Sequence, residues 1–333
     1  MLTLASFCVI SVLVIGLCEG STSIVTIGIL AQPASDPLKI TYYHPSESWS
    51  FVAGSYVDWI GSSGAMAVIL PYDLPKEKLI ALLENIDGVL LPGGGAPLYR
   101  NDDTNLPTLY QQGMDTIIRW AKKRNDEGHY FPVFCTCLGF EGLIISETNQ
   151  TKTLECDFDD EVVVHSVQVT SEFDKSPFWN KVGLSLAKSV FKQNSIYYTH
   201  SCGIRSSSFL KNSKLTKDYN LLGTSVSKHG VEFVACIEHK KYPIVANQWH
   251  PEKNLYERGP LYEIVDRNHV PVELMQKIAS KFVQEIREKG KPKQYSHIPP
   301  FVKERFASNN LAETLPLASY ERLYTLQRYD YSL

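Results

Sequence analysis

Two cysteines separated by a single residue, Cys135 and Cys137, stand in the stretch FPVFCTCLGFEG at positions 131–142. The apolar run before them predicts a buried strand, and the glycine-containing segment after them predicts a sharp turn into a helix. Such a turn lifts one side chain out at the helix N-terminus, where the helix dipole stabilises a thiolate and the next amide faces a developing oxyanion. Cys137 holds that position and is the candidate nucleophile.

Cys135 lies two residues earlier and points to the same side of the predicted strand. Because it lies within the sheet rather than at the turn, its predicted role is packing. Along an extended strand the two cysteines are about 7 Å apart, whereas the Cβ atoms of a disulfide approach to about 4 Å. We therefore expect no bond between them. A metal site built on C-x-C needs further ligands at suitable spacing, and because none is nearby we expect no metal.

A nucleophilic cysteine needs an imidazole to take its proton, and the imidazole needs an orienting carboxylate. His250 and Glu252, in the stretch NQWHPEK, offer both groups. They stand at the end of the last predicted strand-like run, which places them at the edge where Cys137 stands if the strands run parallel. A lone histidine is more often structural, and its combination with Cys137 is what favours a catalytic role for His250.

Strand-like and helix-like segments alternate through the first half of the chain. Strands are predicted at 23–32, 65–72, 88–95 and 130–136, and helices at 50–64, 75–85 and 108–128. Repeated β-α units with short apolar strands predict an α/β fold, a mostly parallel sheet with helices on both faces in a flavodoxin-like three-layer arrangement. Sites in such sheets lie at the carboxyl ends of the strands.

The pattern loosens beyond residue 150 into shorter strands. Strands are predicted at 220–227, 231–239 and 242–253, and helices at 183–193 and 270–290. In the last helix Met275, Ile278, Phe282 and Ile286 form one apolar stripe, which is predicted to face the core. The tail from about residue 290 is predicted to be irregular and to wrap the surface.

The composition is that of an ordinary globular protein: 333 residues, 44% hydrophobic, 21% charged, with a net charge of −3. Without a basic block, nucleic acid is not an expected partner. The apolar run at 1–20 ends in small residues and predicts a secretory signal peptide, which leaves one catalytic domain at 21–333. A short membrane anchor or a buried strand is the alternative. No later stretch is long and apolar enough for a bilayer, so no membrane contact is expected after cleavage.

Cleavage would leave five cysteines, an odd number, and hence at least one free thiol. Pairing among Cys156, Cys202 and Cys236 stays open. Asn149 begins the glycosylation acceptor NQT, which agrees with passage through the secretory pathway.

The motifs LPGG, TCLGFE and QWHPEK, in this order, resemble class I glutamine amidotransferase-type domains, and among these the gamma-glutamyl hydrolase family. The resemblance extends over nearly all of the mature chain. It implies hydrolysis of gamma-glutamyl amide bonds in folyl and antifolyl poly-gamma-glutamates, without a cofactor, in the lysosome or vacuole or after secretion. It also implies a homodimer. The alternatives are a glutamine amidase domain that supplies ammonia to a partner enzyme, and a weakly active binding relative with the same fold.

The resemblance assigns roles to eight positions. It implies Cys137 as nucleophile, His250 as base, Glu252 as orienting carboxylate, the amides of Gly94 and Leu138 as oxyanion donors, and His200, Tyr56 and Glu141 as substrate-binding residues. A buried tyrosine and a helix-start glutamate also have structural explanations. The chain departs from the family pattern at Cys135, where glycine is usual, and at Gly142, where a second acidic residue is usual. A side chain at 135 would crowd the strand behind the elbow, which bears on the rate more than on the mechanism.

Overall fold

The structure, a computed structural model, describes residues 24–34, 49–100, 106–150, 153–292 and 323–327. The predicted signal peptide at 1–20 lies outside these residues. The strands are β1 Thr26–Leu30, β2 Gln32–Pro33, β3 Trp49–Ala53, β4 Met66–Leu70, β5 Gly88–Leu91, β6 Val133–Thr136, β7 Asp160–His165, β8 Gln168–Val169, β9 Ile196–His200, β10 Tyr219–Val226, β11 Glu232–His239, β12 Ile244–Asn247 and β13 Leu323–Gln327. The helices are α1 Gly54–Gly61, α2 Lys76–Leu83, α3 Leu109–Asp126, α4 Leu138–Thr148, α5 Pro177–Val182, α6 Leu184–Phe191, α7 Ser206–Lys211, α8 Ser213–Asp218, α9 Lys253–Tyr256 and α10 His269–Lys289.

An eight-stranded sheet forms the centre of the fold, in the order β4-β1-β5-β6-β12-β11-β10-β8. The five strands from β4 to β12 run parallel, and β11, β10 and β8 extend the sheet antiparallel. Two small sheets lie apart from it, β13-β3-β2 and β7-β9. The predicted mostly parallel α/β sheet is confirmed.

Apolar side chains of the parallel strands pack on both faces of this sheet. In β6, Val133 and Cys135 join a cluster with α2, α3 and α4, while Phe134 joins a second cluster with α1, α5, α6 and α10. Successive residues of a strand point to opposite faces, so one short strand feeds both cores. The three-layer arrangement follows from this double burial.

The longest described helix, α10, covers one face with the predicted stripe. Met275, Ile278, Phe282 and Ile286 are all buried, as expected from their spacing. Polar residues occupy the opposite side of this helix. Within the described ranges, no helix combines the length and apolarity needed to cross a bilayer.

Two segments differ from the sequence prediction. Residues 50–53, predicted as the start of a helix, belong to strand β3, and the helix begins only at Gly54. The predicted irregular tail contains strand β13, which pairs antiparallel with β3 so that Leu323 lies opposite Ala53. Pairing over such a sequence distance is non-local, and a local periodicity cannot reveal it. The tail residues at 293–322 lie outside the described part of the chain.

Candidate active site

Three neighbouring parallel strands, β5, β6 and β12, end side by side. Leu91 is in register with Cys135, and Thr136 with Asn247. The residues that follow these strands therefore meet at one carboxyl edge of the sheet. Gly93 and Gly94 follow β5, Cys137 follows β6, and His250 follows β12. The topology thus brings together candidates that are distant in the sequence.

Cys137 occupies the turn between β6 and α4. Its φ of 49° and ψ of −108° are rare for a residue other than glycine, and such conformations persist where surrounding contacts hold them. The Cys137 amide donates to the Asn247 carbonyl at 2.7 Å, and the Gly139 amide donates to the Pro92 carbonyl at 3.1 Å. The predicted elbow is therefore tied to both neighbouring strand ends.

The side chain of Cys137 is buried and faces a cavity rather than the outer surface. Burial raises the pKa of the thiol well above its usual value, and the carboxylates of Glu141 and Glu252 raise it further. Hydrogen bonds from the amides of Leu138 and Gly94 lower the pKa, but by less. The helix end does favour the thiolate, as expected, but desolvation has the larger effect and the pKa of the thiol is raised overall.

His250 and Glu252 form a buried pair. The Nδ1 atom of His250 lies 2.8 Å from Oε1 of Glu252. Burial alone would raise the pKa of Glu252, but His250 and Lys253 lower it below its ordinary value. An ionised Glu252 only accepts hydrogen bonds, so Nδ1 carries the proton. The other ring nitrogen, Nε2, is buried and has no hydrogen-bond partner among the described residues.

Gly93 lets the three side chains approach one another. A Cβ atom at this position would lie 2.5 Å from Cε1 of His250, 2.7 Å from the Tyr56 hydroxyl and 3.0 Å from Cβ of Cys137. All three side chains therefore contact the same side of one glycine. Any larger residue at 93 would push them apart.

A cavity of about 690 Å³ opens above these residues. Its lining includes seven of the eight predicted site residues: Tyr56, Gly94, Cys137, Leu138, Glu141, His200 and His250. Glu252 lies behind His250, outside the lining. The volume falls within the range of about 300–1,000 Å³ that is typical of small-molecule sites.

His200 ends strand β9 and lines this cavity. Its Nδ1 atom lies 2.9 Å from the carbonyl oxygen of Cys202 and donates to it. Burial lowers the pKa of His200 to about 4, so the ring is neutral at physiological pH. Its Nε2 atom is buried and lacks a hydrogen-bond partner in the described part of the chain, which leaves an acceptor available to a substrate.

Glu141 lies in the first turn of α4, below the cavity floor. Nε2 of Gln248 donates to Oε1 of Glu141 at 3.0 Å. Burial raises the pKa of Glu141 to about 7, and the bond from Gln248 opposes that shift. The carboxyl group therefore titrates near neutrality, directly beside Cys137.

The phenol of Tyr56, from helix α1, lies at the centre of the site. Its oxygen accepts a hydrogen bond from the Gly93 amide at 2.7 Å and lies 3.3 Å from Nδ1 of His250. Nδ1 carries a proton and cannot accept a second one from the phenol. The Tyr56 hydroxyl therefore donates to the Glu252 carboxylate. Tyr56 therefore contacts the candidate catalytic groups as well as the cavity.

The cysteine pairing that the sequence left open is resolved. Cys156 and Cys202 form a disulfide that lines the cavity, while Cys135, Cys137 and Cys236 are free and buried. The expected absence of a bond between Cys135 and Cys137 is confirmed. The described residues contain no cluster of three or more His, Cys, Asp or Glu side chains suited to a metal.

The predicted glycosylation site lies away from the cavity. Asn149 is exposed and has a left-handed conformation at the end of α4. Thr151, the third residue of the acceptor, lies outside the described residues, so glycosylation stays a prediction.

Sequence reasoning missed two residues of the site that stand inside a quoted motif: Lys253, which lines the cavity, and Gln248, which contacts Glu141. Lys253 is buried, with Nζ 3.6 Å from Glu252 and 3.4 Å from Glu257, and it lies 5.1 Å from the centre of the Tyr262 ring. Gln248 holds Glu141, as described above. Both belong to QWHPEK, so the motif itself was a signal, whereas nothing in the sequence marks Tyr262.

An elbow cysteine and a strand-end histidine at one edge of a mostly parallel sheet are the groups that a cysteine peptidase uses. Residues 26–252 match the family model of Peptidase C26. Gamma-glutamyl hydrolase 1 of Arabidopsis thaliana is 30% identical over 264 residues, covering 79% of this chain and 72% of the relative. The gamma-glutamyl hydrolase of Homo sapiens is 32% identical over 267 residues, covering 79% and 77%. The chain belongs to this gamma-glutamyl hydrolase family.

Among solved structures, a GMP synthase protein from Thermoplasma acidophilum aligns with 80% of this chain and 98% of its own length. The TM-score is 0.46 and the identity 15%.

Family membership makes the chain an enzyme that hydrolyses gamma-glutamyl bonds.

Proposed function

We propose that the chain cleaves the gamma-glutamyl amide bonds of folyl and antifolyl poly-gamma-glutamates through a thioester on Cys137. The observation that carries the proposal is the convergence of three groups at one sheet edge. Cys137 lies between the amides of Leu138 and Gly94, and the buried His250–Glu252 pair, 2.8 Å apart, stands beside it. Nucleophile, base and oxyanion donors are the parts that acyl transfer requires.

In the first half-reaction, Sγ of Cys137 attacks the gamma-carbonyl carbon. Because the thiol is protonated at rest, its proton passes to Nε2 of His250 as the carbon–sulfur bond forms. The carbonyl electron pair moves onto oxygen, where the amides of Gly94 and Leu138 stabilise the charge. When the tetrahedral species collapses, the carbon–nitrogen bond breaks and the leaving amine takes the proton from the His250 imidazolium.

In the second half-reaction, water replaces the leaving amine. His250 takes a proton from the water as its oxygen attacks the thioester carbon. The carbon–sulfur bond breaks, and the sulfur regains a proton from His250. Glu252 stabilises the imidazolium in both halves by accepting from Nδ1. The products are the shortened chain with a new gamma-carboxyl group and a free thiol.

The cavity supports a substrate larger than glutamine. Its lining extends from Cys137 to the Cys156–Cys202 disulfide and includes the aromatic rings of Tyr99 and Tyr262, which suit the pteroyl and benzoyl rings of a folate. Lys253 also lines the cavity, and its positive charge favours a substrate that carries carboxylates. His200 offers its unprotonated Nε2 to a substrate N–H group.

We further propose that the protein acts in the secretory pathway, in a lysosome-like compartment or outside the cell. The Cys156–Cys202 disulfide supports this proposal, since disulfides persist in oxidising compartments. The exposed Asn149 acceptor agrees with the same route.

The test is to incubate the purified protein with a pteroyl pentaglutamate, separate the products by chromatography and identify them by mass spectrometry. We expect shortened pteroyl glutamates from the wild type and none from Cys137→Ala. Hydroxylamine should trap the thioester as a gamma-hydroxamate. The same preparation is offered glutamine: release of ammonia without cleavage of the pentaglutamate would favour the glutamine amidase alternative and overturn the proposal.

A further inference from the structure

The peptide unit that joins Gly93 to Gly94 is held in one orientation by a residue outside the motifs. Nε2 of Gln32 donates a hydrogen bond to the Gly93 carbonyl at 2.7 Å. The described residues contain no cis peptide, and in a trans peptide the C=O and N–H groups point in opposite directions. The Gly94 amide therefore points away from Gln32 and towards Cys137, whose sulfur it hydrogen-bonds.

Gln32 is placed to act as a fixed support. It is 1% exposed and belongs to β2, where it pairs with Phe51 of β3. Its side chain also fills the space that a Cβ of Gly94 would occupy, so residue 94 must be glycine for Gln32 to reach the Gly93 carbonyl. The neighbouring Gly93 amide is held separately, by the Tyr56 hydroxyl at 2.7 Å.

This peptide has a conformational alternative. Glycines on both sides let it rotate without the steric cost that side chains would impose. A half-turn would direct the Gly93 carbonyl, instead of the Gly94 amide, towards the cysteine. An acceptor in that place would repel a developing oxyanion, whereas the present donor stabilises it. The Gln32 amide favours the present orientation because the rotated carbonyl would lose its donor.

We propose that Gln32 is a positioning residue that sets the oxyanion hole by fixing the Gly93–Gly94 peptide. The inference rests on the proposed thioester chemistry at Cys137. Gln32 does not line the cavity, and it acts on the rate only through the Gly93–Gly94 peptide.

Two variants of similar length test this role. Gln32→Glu replaces the amide donor with an acceptor that repels the Gly93 carbonyl, and Gln32→Met removes the donor without adding charge. Hydrolysis of a pteroyl pentaglutamate should lose about 10²-fold in kcat, the order of one oxyanion donor, with KM changed by no more than about twofold. Binding of the uncleaved substrate in a Cys137→Ala background should not change.

A second readout does not depend on the natural substrate. A glutamyl gamma-aldehyde forms a tetrahedral adduct with Cys137 whose oxygen occupies the oxyanion hole, so its inhibition constant should rise by the same factor as kcat falls. Alkylation of Cys137 by iodoacetamide uses no oxyanion donor, and its rate should stay within about twofold of wild type. Thermal unfolding identifies a variant that fails to fold, and the other variant then carries the test.

An unchanged kcat and aldehyde affinity in a folded variant overturns the proposal. An equal loss in the rate of Cys137 alkylation also overturns the proposal, because Gln32 would then affect the reactivity of the thiol rather than the oxyanion hole. Failure of the proposed substrate is distinguishable: the wild type would not cleave the pentaglutamate, while the aldehyde would still bind the wild type more tightly than the variants.

Discussion

His250 donates its Nδ1 proton to Glu252 across 2.8 Å, and neither side chain reaches bulk solvent. This contact fixes the orientation of the imidazole and assigns Nδ1, rather than Nε2, to Glu252. The orientation of the imidazole is important because burial keeps the Cys137 thiol protonated, so the thiol needs a base that is already in place. The base must take a proton in the same step in which sulfur attacks.

The first prediction concerns the carboxylate of this pair. Glu252→Gln keeps the shape but removes the charge that stabilises the imidazolium, so kcat/KM should fall by roughly 10²-fold. The loss should be smaller than that of His250→Ala, which removes the base. Glu257→Gln is the matched control, since Glu257 is also buried and contacts Lys253. A larger loss in Glu252→Gln than in His250→Ala would contradict this order.

The second prediction is that Cys137 and His250 act as one unit. Cys137→Ala should abolish turnover, and His250→Ala should lose almost as much. The double variant should be no slower than Cys137→Ala, because each change alone removes the same acyl-transfer step. Single-turnover rates on the pteroyl pentaglutamate measure this. If the double variant is slower by the product of the single losses, the two residues are not partners.

The third prediction separates His200 from the thiol chemistry. His200 lines the cavity, and His200→Asn removes its unpaired Nε2 acceptor, so KM should rise by about 10-fold, the loss of roughly one hydrogen bond to the substrate. Iodoacetamide should still alkylate Cys137 at the wild-type rate, because His200 is not the base in this mechanism. A strong slowing of alkylation would assign the role of base to His200 instead of His250.

Much of this site was predictable, because its residues directly follow apolar strands. Cys137, His250 and Gly94 each stand just beyond the end of a strand, and parallel strands end at one edge. Three features were not accessible. The protonation of Cys137 depends on burial, the Cys156–Cys202 pairing depends on a contact across 46 residues, and the bond from Gln32 to Gly93 spans 61.

The departure at Gly142 also became interpretable only in three dimensions. A Cβ atom there would collide with the end of the Met114 side chain from helix α3. The acidic residue that the family resemblance led us to expect cannot fit without displacing this methionine. Because Met114 itself is fully buried between two helices, the sequence offers no sign of the conflict.

The fourth prediction concerns pH. Glu141 has a pKa of about 7, and its anion raises the pKa of Cys137. As pH rises through 7, the ionised Glu141 therefore opposes negative charge on the neighbouring sulfur. The ratio of kcat/KM for Glu141→Gln to that for wild type should rise across this range, and Glu147→Gln, on the same helix, is the control. A ratio that is flat between pH 6 and 8 would contradict the assignment.

The raised pKa of Glu141 also predicts the direction in which the stability of the protein changes with pH. The pKa of Glu141 is raised on folding from its ordinary value of 4.5 to about 7, so the folded protein binds the proton more tightly. This contribution is fully present below pH 4.5 and is lost as pH rises to 7. Urea midpoints measured from pH 4.5 to 7.5 should fall less in Glu141→Gln than in wild type.

The last prediction concerns Cys135 of strand β6, whose side chain is fully buried under the helices on one face of the sheet and is not bonded to Cys137. Cys135→Gly removes this packing from a central strand and should lower the free energy of unfolding by about 1–3 kcal/mol. The folded variant should keep the wild-type initial rate or exceed it, because Cys135 points into the core. Dithiothreitol should affect the rates of both proteins equally, and Cys236→Ala, at another free buried cysteine, is the control. If wild type requires the reductant and Cys135→Gly does not, Cys135 forms an inactivating bond with the nucleophile and its role is redox control rather than packing.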